Sequence, residues 1–156
     1  MSSGDVQVEQ LADPTQAIDE LTTLRHRWMT EQGRVAVADD PFDDEFADWV
    51  IRESLARRFW IARVEGKAVG MVNLLVFDRM PAPGGPSGGW GYLCNMFVDE
   101  QHRNGGIGAV MAEALLAYAD DHGLERVVLS PSERSRPFYA SLGFEPASNL
   151  LLRQSP

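Results

Sequence analysis

The chain has 156 residues, 44% of them hydrophobic, with 14 Lys and Arg against 23 Asp and Glu for a formal net charge of −9. That length suits one domain able to bury a core unaided, and the single cysteine, Cys94, excludes an intramolecular disulfide and a cysteine-clustered zinc site. The acidic balance argues against nucleic acid as a partner, and no apolar run approaches the roughly 20 residues needed to cross a bilayer.

In chain order, Val6–Val8 alternates and reads as a short first strand. Asp13-Pro14-Thr15 opens a helix to about Gln32, with Ile18, Leu21, Leu24 and Trp28 at helical spacing and Gly33 as its stop. A second helix is predicted from about Asp43, carrying Phe46, Trp49, Val50 and Leu55 inward. Phe59–Val64, Glu65-Gly66-Lys67 and Ala68–Phe77 form a strand–turn–strand pattern. Asp78–Gly89, with three prolines and four glycines, reads as a loop. Trp90–Val98 is the next strand, Gly106–His122 a helix with Val110, Leu115, Leu116 and Tyr118 apolar, and Arg126–Leu129 a short buried strand. Ser135–Leu142 reads as a short helix and Phe144–Arg153 as one or two terminal strands. The N-terminal Met1–Gln10 has no basic segment followed by an apolar one, so no signal peptide is expected and the protein is read as cytoplasmic.

The negative charge is uneven. Residues 1–50 hold 12 acidic and three basic side chains, whereas residues 51–156 hold 11 of each sign. The densest run is Asp39, Asp40, Asp43, Asp44, Glu45 and Asp48. Acidic residues favour a helix N-terminus, and they also attract cations; both readings remain open from composition alone.

The stretch with most chemistry is Met96-Phe97-Val98-Asp99-Glu100-Gln101-His102-Arg103-Asn104-Gly105-Gly106-Ile107-Gly108-Ala109. A strand runs through a glycine-rich turn into a helix whose first amides lack internal partners and sit at the positive end of its dipole. Glycines let an anion approach that backbone, and Arg103 adds a cation. A P-loop would need a Lys-Ser/Thr pair, and the only lysine is Lys67. A dinucleotide fingerprint would need glycine at Met111.

Arg103-Asn104-Gly105-Gly106-Ile107-Gly108 resembles the Arg/Gln-x-x-Gly-x-Gly/Ala signature of the GNAT superfamily of acetyl-CoA-dependent N-acetyltransferases, and Phe138-Tyr139-Ala140-Ser141-Leu142-Gly143-Phe144 resembles its second landmark. The order of elements agrees over nearly the whole chain. The resemblance implies an α/β (α+β) fold: a mixed, mainly antiparallel sheet of six to seven strands flanked by about four helices. It is read as one domain over 1–156, with acceptor-side helices at about 13–58 and a cofactor-binding core at about 59–153.

The resemblance further implies that acetyl-CoA is the co-substrate, with no metal. Its pyrophosphate would lie on Arg103, Asn104, Gly105, Gly106, Ile107, Gly108 and Ala109, and its pantetheine along Met96, Phe97 and Val98. The backbone N–H of Phe97 would polarise the thioester carbonyl. Tyr139 would be the general acid, a phenol protonated at neutral pH, unless it merely packs against Phe138 and Phe144. Ser132 stands where many relatives carry Asn, and Arg134 or Arg136 could reach a phosphate or sit on the surface. The signature strand has no carboxylate, so no base is named. Asn95 could position a water. Cys94 and His102 read as a filler and a surface residue. In the family the N-terminal helices wall the acceptor pocket, which makes Asp43 and Asp44 candidate contacts for a cationic amine, a small molecule or a peptide. The alternative is an acyl-CoA-binding sensor without catalysis. Family members are often dimers, so a homodimer is compatible with the resemblance.

Overall fold

The computed structural model describes residues 4–85 and 88–156. Among the described residues, five strands form one sheet in sequential order: β1 (Val6–Gln10), β2 (Arg57–Val64), β3 (Lys67–Asp78), β4 (Gly89–Val98) and β5 (Val127–Val128). The first four pair antiparallel, and β5 runs parallel to β4. Four helices accompany it: α1 (Ile18–Glu31), α2 (Phe42–Glu53), α3 (Ile107–Asp121) and α4 (Arg136–Ser141).

Side chains alternate faces along a strand, and both faces of this sheet are covered. On β2, Phe59 and Ile61 meet α1 and α2 through Leu21, Leu24 and Val50. Trp60 and Ala62, with Val72 and Leu74 of β3, meet α3 through Met111 and Leu115. Each large side chain so buried contributes roughly 1.5–3 kcal/mol. A two-residue turn joins β2 to β3 with Glu65 and Gly66 both at positive φ (51° and 78°), the twist-matched hairpin that glycine makes accessible. The first helix begins as a tight turn at Pro14–Ala17, capped by Asp13, whose carboxylate accepts from the Thr15 amide at 3.0 Å.

The expected loop at Asp78–Gly89 links β3 to β4, and its Pro86 and Ser87 lie outside the described residues. Two expectations need correction. The sheet has five strands, not six to seven: no strand follows α4, and Phe144–Arg153 is irregular. There Pro146 lacks a donor, the Phe144 amide is used by Tyr139 O at the end of α4, and Leu151 and Leu152 are exposed. Leu55 lies beyond α2 and is 90% exposed, because the helix ends at Glu53. Val110 is on the outer side of α3, whose buried stripe is Ile107, Met111, Leu115 and Ala119.

Candidate active site

β5 pairs only with Gly91 and Tyr92, so Leu93–Val98 of β4 has no strand on that side. The two chains diverge into a wedge, and a cavity of about 820 Å³ fills it. Met96 and Val98 line one wall, Leu129, Ser130 and Pro131 the other, and the start of α3 closes the end.

A bulge decides which backbone groups face this wedge. The Gly91 amide donates to Arg126 O, so Gly91 faces β5; the Asp99 amide donates to Val69 O, so Asp99 faces β3. Unbroken alternation would turn both the same way. One extra residue therefore intervenes, where pairing slips from Asn73–Cys94 to Met71–Phe97. Asn95 sits at that slip with φ 56°, a left-handed conformation that asparagine tolerates. Counting back from Asp99, Phe97 turns its N–H toward β3, and Met96 and Val98 turn theirs into the wedge. Phe97, the residue expected to offer a backbone N–H here, thus turns it toward β3, and Met96 is the neighbour that offers one to the wedge.

Two asparagines pin the bulge. Asn73, almost fully buried, donates from Nδ2 to Asn95 Oδ1 at 2.9 Å and accepts from Arg57 Nη1 at 2.8 Å. Arg57 in turn bonds Glu53 at 2.8 Å, so the end of α2 is tied to the bulge.

The glycine-rich turn leads into α3 where expected. Gly106 caps α3 with φ 86° and no side chain, which leaves the first-turn amides of Ile107, Gly108 and Ala109 open to the wedge. Asn104 and Arg103 line it too; Gly105 and Phe97 do not. Arg103 is not a loose cation: its Nε donates to Val98 O at 2.9 Å, and its other arm pairs with Glu31 at the end of α1. Ser132 lines the wedge but uses its hydroxyl to cap a turn, accepting from the Ser135 amide at 3.2 Å. Arg134 lines the wedge, whereas Arg136 pairs with Glu133 at 3.1 Å. His102, expected on the surface, is half-buried and lines it as well.

Tyr139 lies at the wedge, 9% exposed, with edge contacts to Phe138 and Phe144 at 5.0 and 5.7 Å. Burial pushes its phenol above the ordinary value of 10.0, so it stays protonated at neutral pH. Burial likewise raises the Cys94 thiol, which makes it a poor nucleophile.

A second cavity, of about 390 Å³, lies between α1, α2 and the sheet. Phe42, Glu45, Phe46 and Trp49 of α2 line it. Their spacing of three, one and three residues is a single helical face. Asp43 and Asp44 fall off that face and are exposed; Asp43 instead contacts His26 at 2.6 Å. Of the acidic run, Glu45 is the residue that lines the cavity, and the helical face of Phe42, Phe46 and Trp49 was the sequence signal for it. Arg25 of α1 lines it too. Asn95 belongs to both cavities, so they meet at the bulge.

The residues of the wedge fit coenzyme A: open amides at a helix start suit a pyrophosphate, and the unpaired edge of β4 suits an amide-bearing arm. Comparison with known proteins agrees. The chain is 28% identical over 98 residues to glucosamine 6-phosphate N-acetyltransferase of Trypanosoma brucei brucei, covering 63% of this chain and 65% of that one. It is 32% identical over 97 residues to human N-acetyltransferase 8, covering 56% of this chain and 38% of the relative. The matched regions thus span less than two thirds of these curated relatives. Among solved structures, a predicted acetyltransferase with acetyl-CoA from Clostridium acetobutylicum superposes with a TM-score of 0.74 at 21% identity, over 96% of both chains. The fold is the same. The family model of the acetyltransferase (GNAT) family matches residues 19–144, from α1 past α4. The chain belongs to that family.

Proposed function

We propose that the protein is an acetyl-CoA-dependent N-acetyltransferase acting on a primary amine of a small molecule or peptide. The observation that carries this reading is the meeting of two cavities at Asn95, one with open helix-start amides and a free strand edge, the other between α1, α2 and the sheet. The C. acetobutylicum neighbour holds acetyl-CoA, and the named relatives are N-acetyltransferases, which supports it.

Acetyl-CoA supplies an acetyl group activated as a thioester. The Met96 amide is aimed to stabilise negative charge gathering on the acetyl oxygen, in a site where a fixed donor needs no reorganisation. Val98 pairs with the arm, and Asn104 with the amides of Ile107–Ala109 holds the diphosphate. Arg103 and Arg134 add positive charge, and Ser132 shapes the opposite wall. Glu45, on the second cavity, takes the proton that an ammonium must lose before its nitrogen can attack. A water held at Asn95 can relay it. As the nitrogen–carbon bond forms and the carbon–sulfur bond breaks, Tyr139 delivers its proton to the departing sulfur, and the second proton shed by the attacking nitrogen restores the phenol.

Release of free thiol from acetyl-CoA across a panel of amines tests the reading. Thiol release that depends on an amine supports it; tight acetyl-CoA binding with no thiol release for any amine would mark a sensor instead.

A further inference from the structure

The second cavity contains a cation that no carboxylate among the described residues answers. Arg25 projects from α1 into its wall, half-buried, with its guanidinium 4.8 Å from the centre of the Trp28 ring. Among the described residues it forms neither an ion pair nor a side-chain hydrogen bond, although its neighbours do: Arg27 pairs with Asp99 at 3.0 Å and Arg57 with Glu53 at 2.8 Å. Carboxylates are not scarce, since the first fifty residues hold 12. Glu45 lines the same cavity and yet makes no ion pair with Arg25. Burial works against the charge of this guanidinium and lowers its pKa, with Arg34 as a second, like-charge contribution. The Trp28 ring answers part of that charge but accepts none of its hydrogen bonds, and a planar set of donors left partly dry matches an oxyanion in two-point fashion.

The remaining walls say what the rest of the ligand is like. Phe42, Phe46, Trp49, Phe59 and Met71 give an apolar, ring-lined space, and its volume is in the range of small-molecule sites. Asn95 marks the inner end, beside the Met96 amide, where the amine has to arrive.

Resting on the acetyltransferase reading above, we propose that the acceptor is an amine on an apolar, ring-sized body that also carries an acidic oxyanion, and that Arg25 binds that anion. The ammonium of such a molecule answers Glu45 and its anion answers Arg25, so both unpaired charges of the cavity find partners. The acceptor stays a cationic amine, but Glu45 takes the place of the expected contacts Asp43 and Asp44, which face solvent.

The test is steady-state thiol release by the full chain at saturating acetyl-CoA, using amines in matched pairs. Phenylalanine against phenethylamine reads a carboxylate, glucosamine 6-phosphate against glucosamine reads a phosphate, and spermidine represents a purely cationic acceptor. In at least one pair the anionic member should have a kcat/KM about tenfold or more above its neutral partner, and the pair that shows it identifies the anion. Arg25→Gln should bring that ratio close to one, chiefly through the KM of the anionic amine, and Arg25→Lys should keep part of it. Acetyl-CoA binding by calorimetry confirms that each variant is folded. Better turnover of the neutral members or of spermidine, or a ratio that survives in folded Arg25→Gln, overturns the inference while leaving the acetyltransferase reading intact. Thiol release from none of the amines overturns both.

Discussion

Tyr139 shows how burial and chemistry meet in one side chain. Its position against Phe138 and Phe144 was readable as simple packing, and the structure gives it that packing together with a place on the wedge beside β4. The two roles separate on substitution. Tyr139→Phe keeps the ring and removes the proton, so kcat should fall by about 10²-fold with acetyl-CoA binding unchanged, a loss typical for a missing general acid. Because burial raises the phenol above 10.0, the alkaline limb of the wild-type kcat profile should lie above that pH. Survival of near-normal turnover in the phenylalanine variant would remove Tyr139 from the mechanism. Gly106 offers a backbone counterpart. A Cβ there would meet no atom within 4 Å, but φ 86° is a conformation that β-branched residues resist by about 1–2 kcal/mol. Gly106→Val should therefore raise the KM for acetyl-CoA about tenfold by distorting the amides that open α3, with the rest of the fold retained by circular dichroism.

Among the elements, α1 carries more than its core stripe. Arg63 of β2 reaches Glu20 of α1 at 2.8 Å and Glu9 of β1 at 2.5 Å, joining three elements on one side of the sheet. The hydrogen bond from Arg63 holds the Glu20 carboxyl below its ordinary 4.5, against a smaller opposing effect of burial. A carboxylate whose folded pKa is depressed contributes stability that is present above the unfolded value and lost as pH falls through the folded one. Glu20→Gln should thus cost about 1 kcal/mol near neutral pH, a modest figure because both side chains are partly solvated. The gap between variant and wild type should close as the pH drops below 4.5, as read by urea denaturation. A gap constant from pH 7 to 3 would show that the pairing contributes nothing. The same helix presents Arg25 and Trp28 to the two cavities, and Trp28 stacks on Phe97 at 5.5 Å with the ring planes 12° apart.

At the scale of the whole molecule, the larger cavity, proposed above for the coenzyme, is a gap between two halves of one sheet, opened because β5 is two residues long. A ligand spanning β4, α3 and the loop after β5 ties these parts together and binds only when they are assembled. Acetyl-CoA at about 100 times its Kd should therefore add about 2.7 kcal/mol and raise Tm by roughly 5–10 °C. Scanning calorimetry over a series of acetyl-CoA concentrations checks this, and an unchanged Tm would mean that the wedge is not its site.

Much of this was legible in the residues themselves. The helices, the hairpin at Glu65-Gly66 and the glycine cradle depend on local backbone preference and on periodicities of two and 3.6, which are written along the chain. Glu45 was within reach by the same rule, once Phe42, Phe46 and Trp49 are seen as one face. The bulge was not. Inserting one residue into β4 depends on its pairing with β3, and that pairing moved the open amide from Phe97 to Met96. Nor could the sequence show that Phe144–Arg153 would find no strand to join, since a strand exists only if an edge receives it. Charge followed the same division. The sequence alone located the excess acid in the first fifty residues, but which charges face a cavity is a matter of packing. Folding turned Asp43 and Asp44 to solvent and brought Arg25 and Glu45, twenty positions apart, to the walls of one cavity.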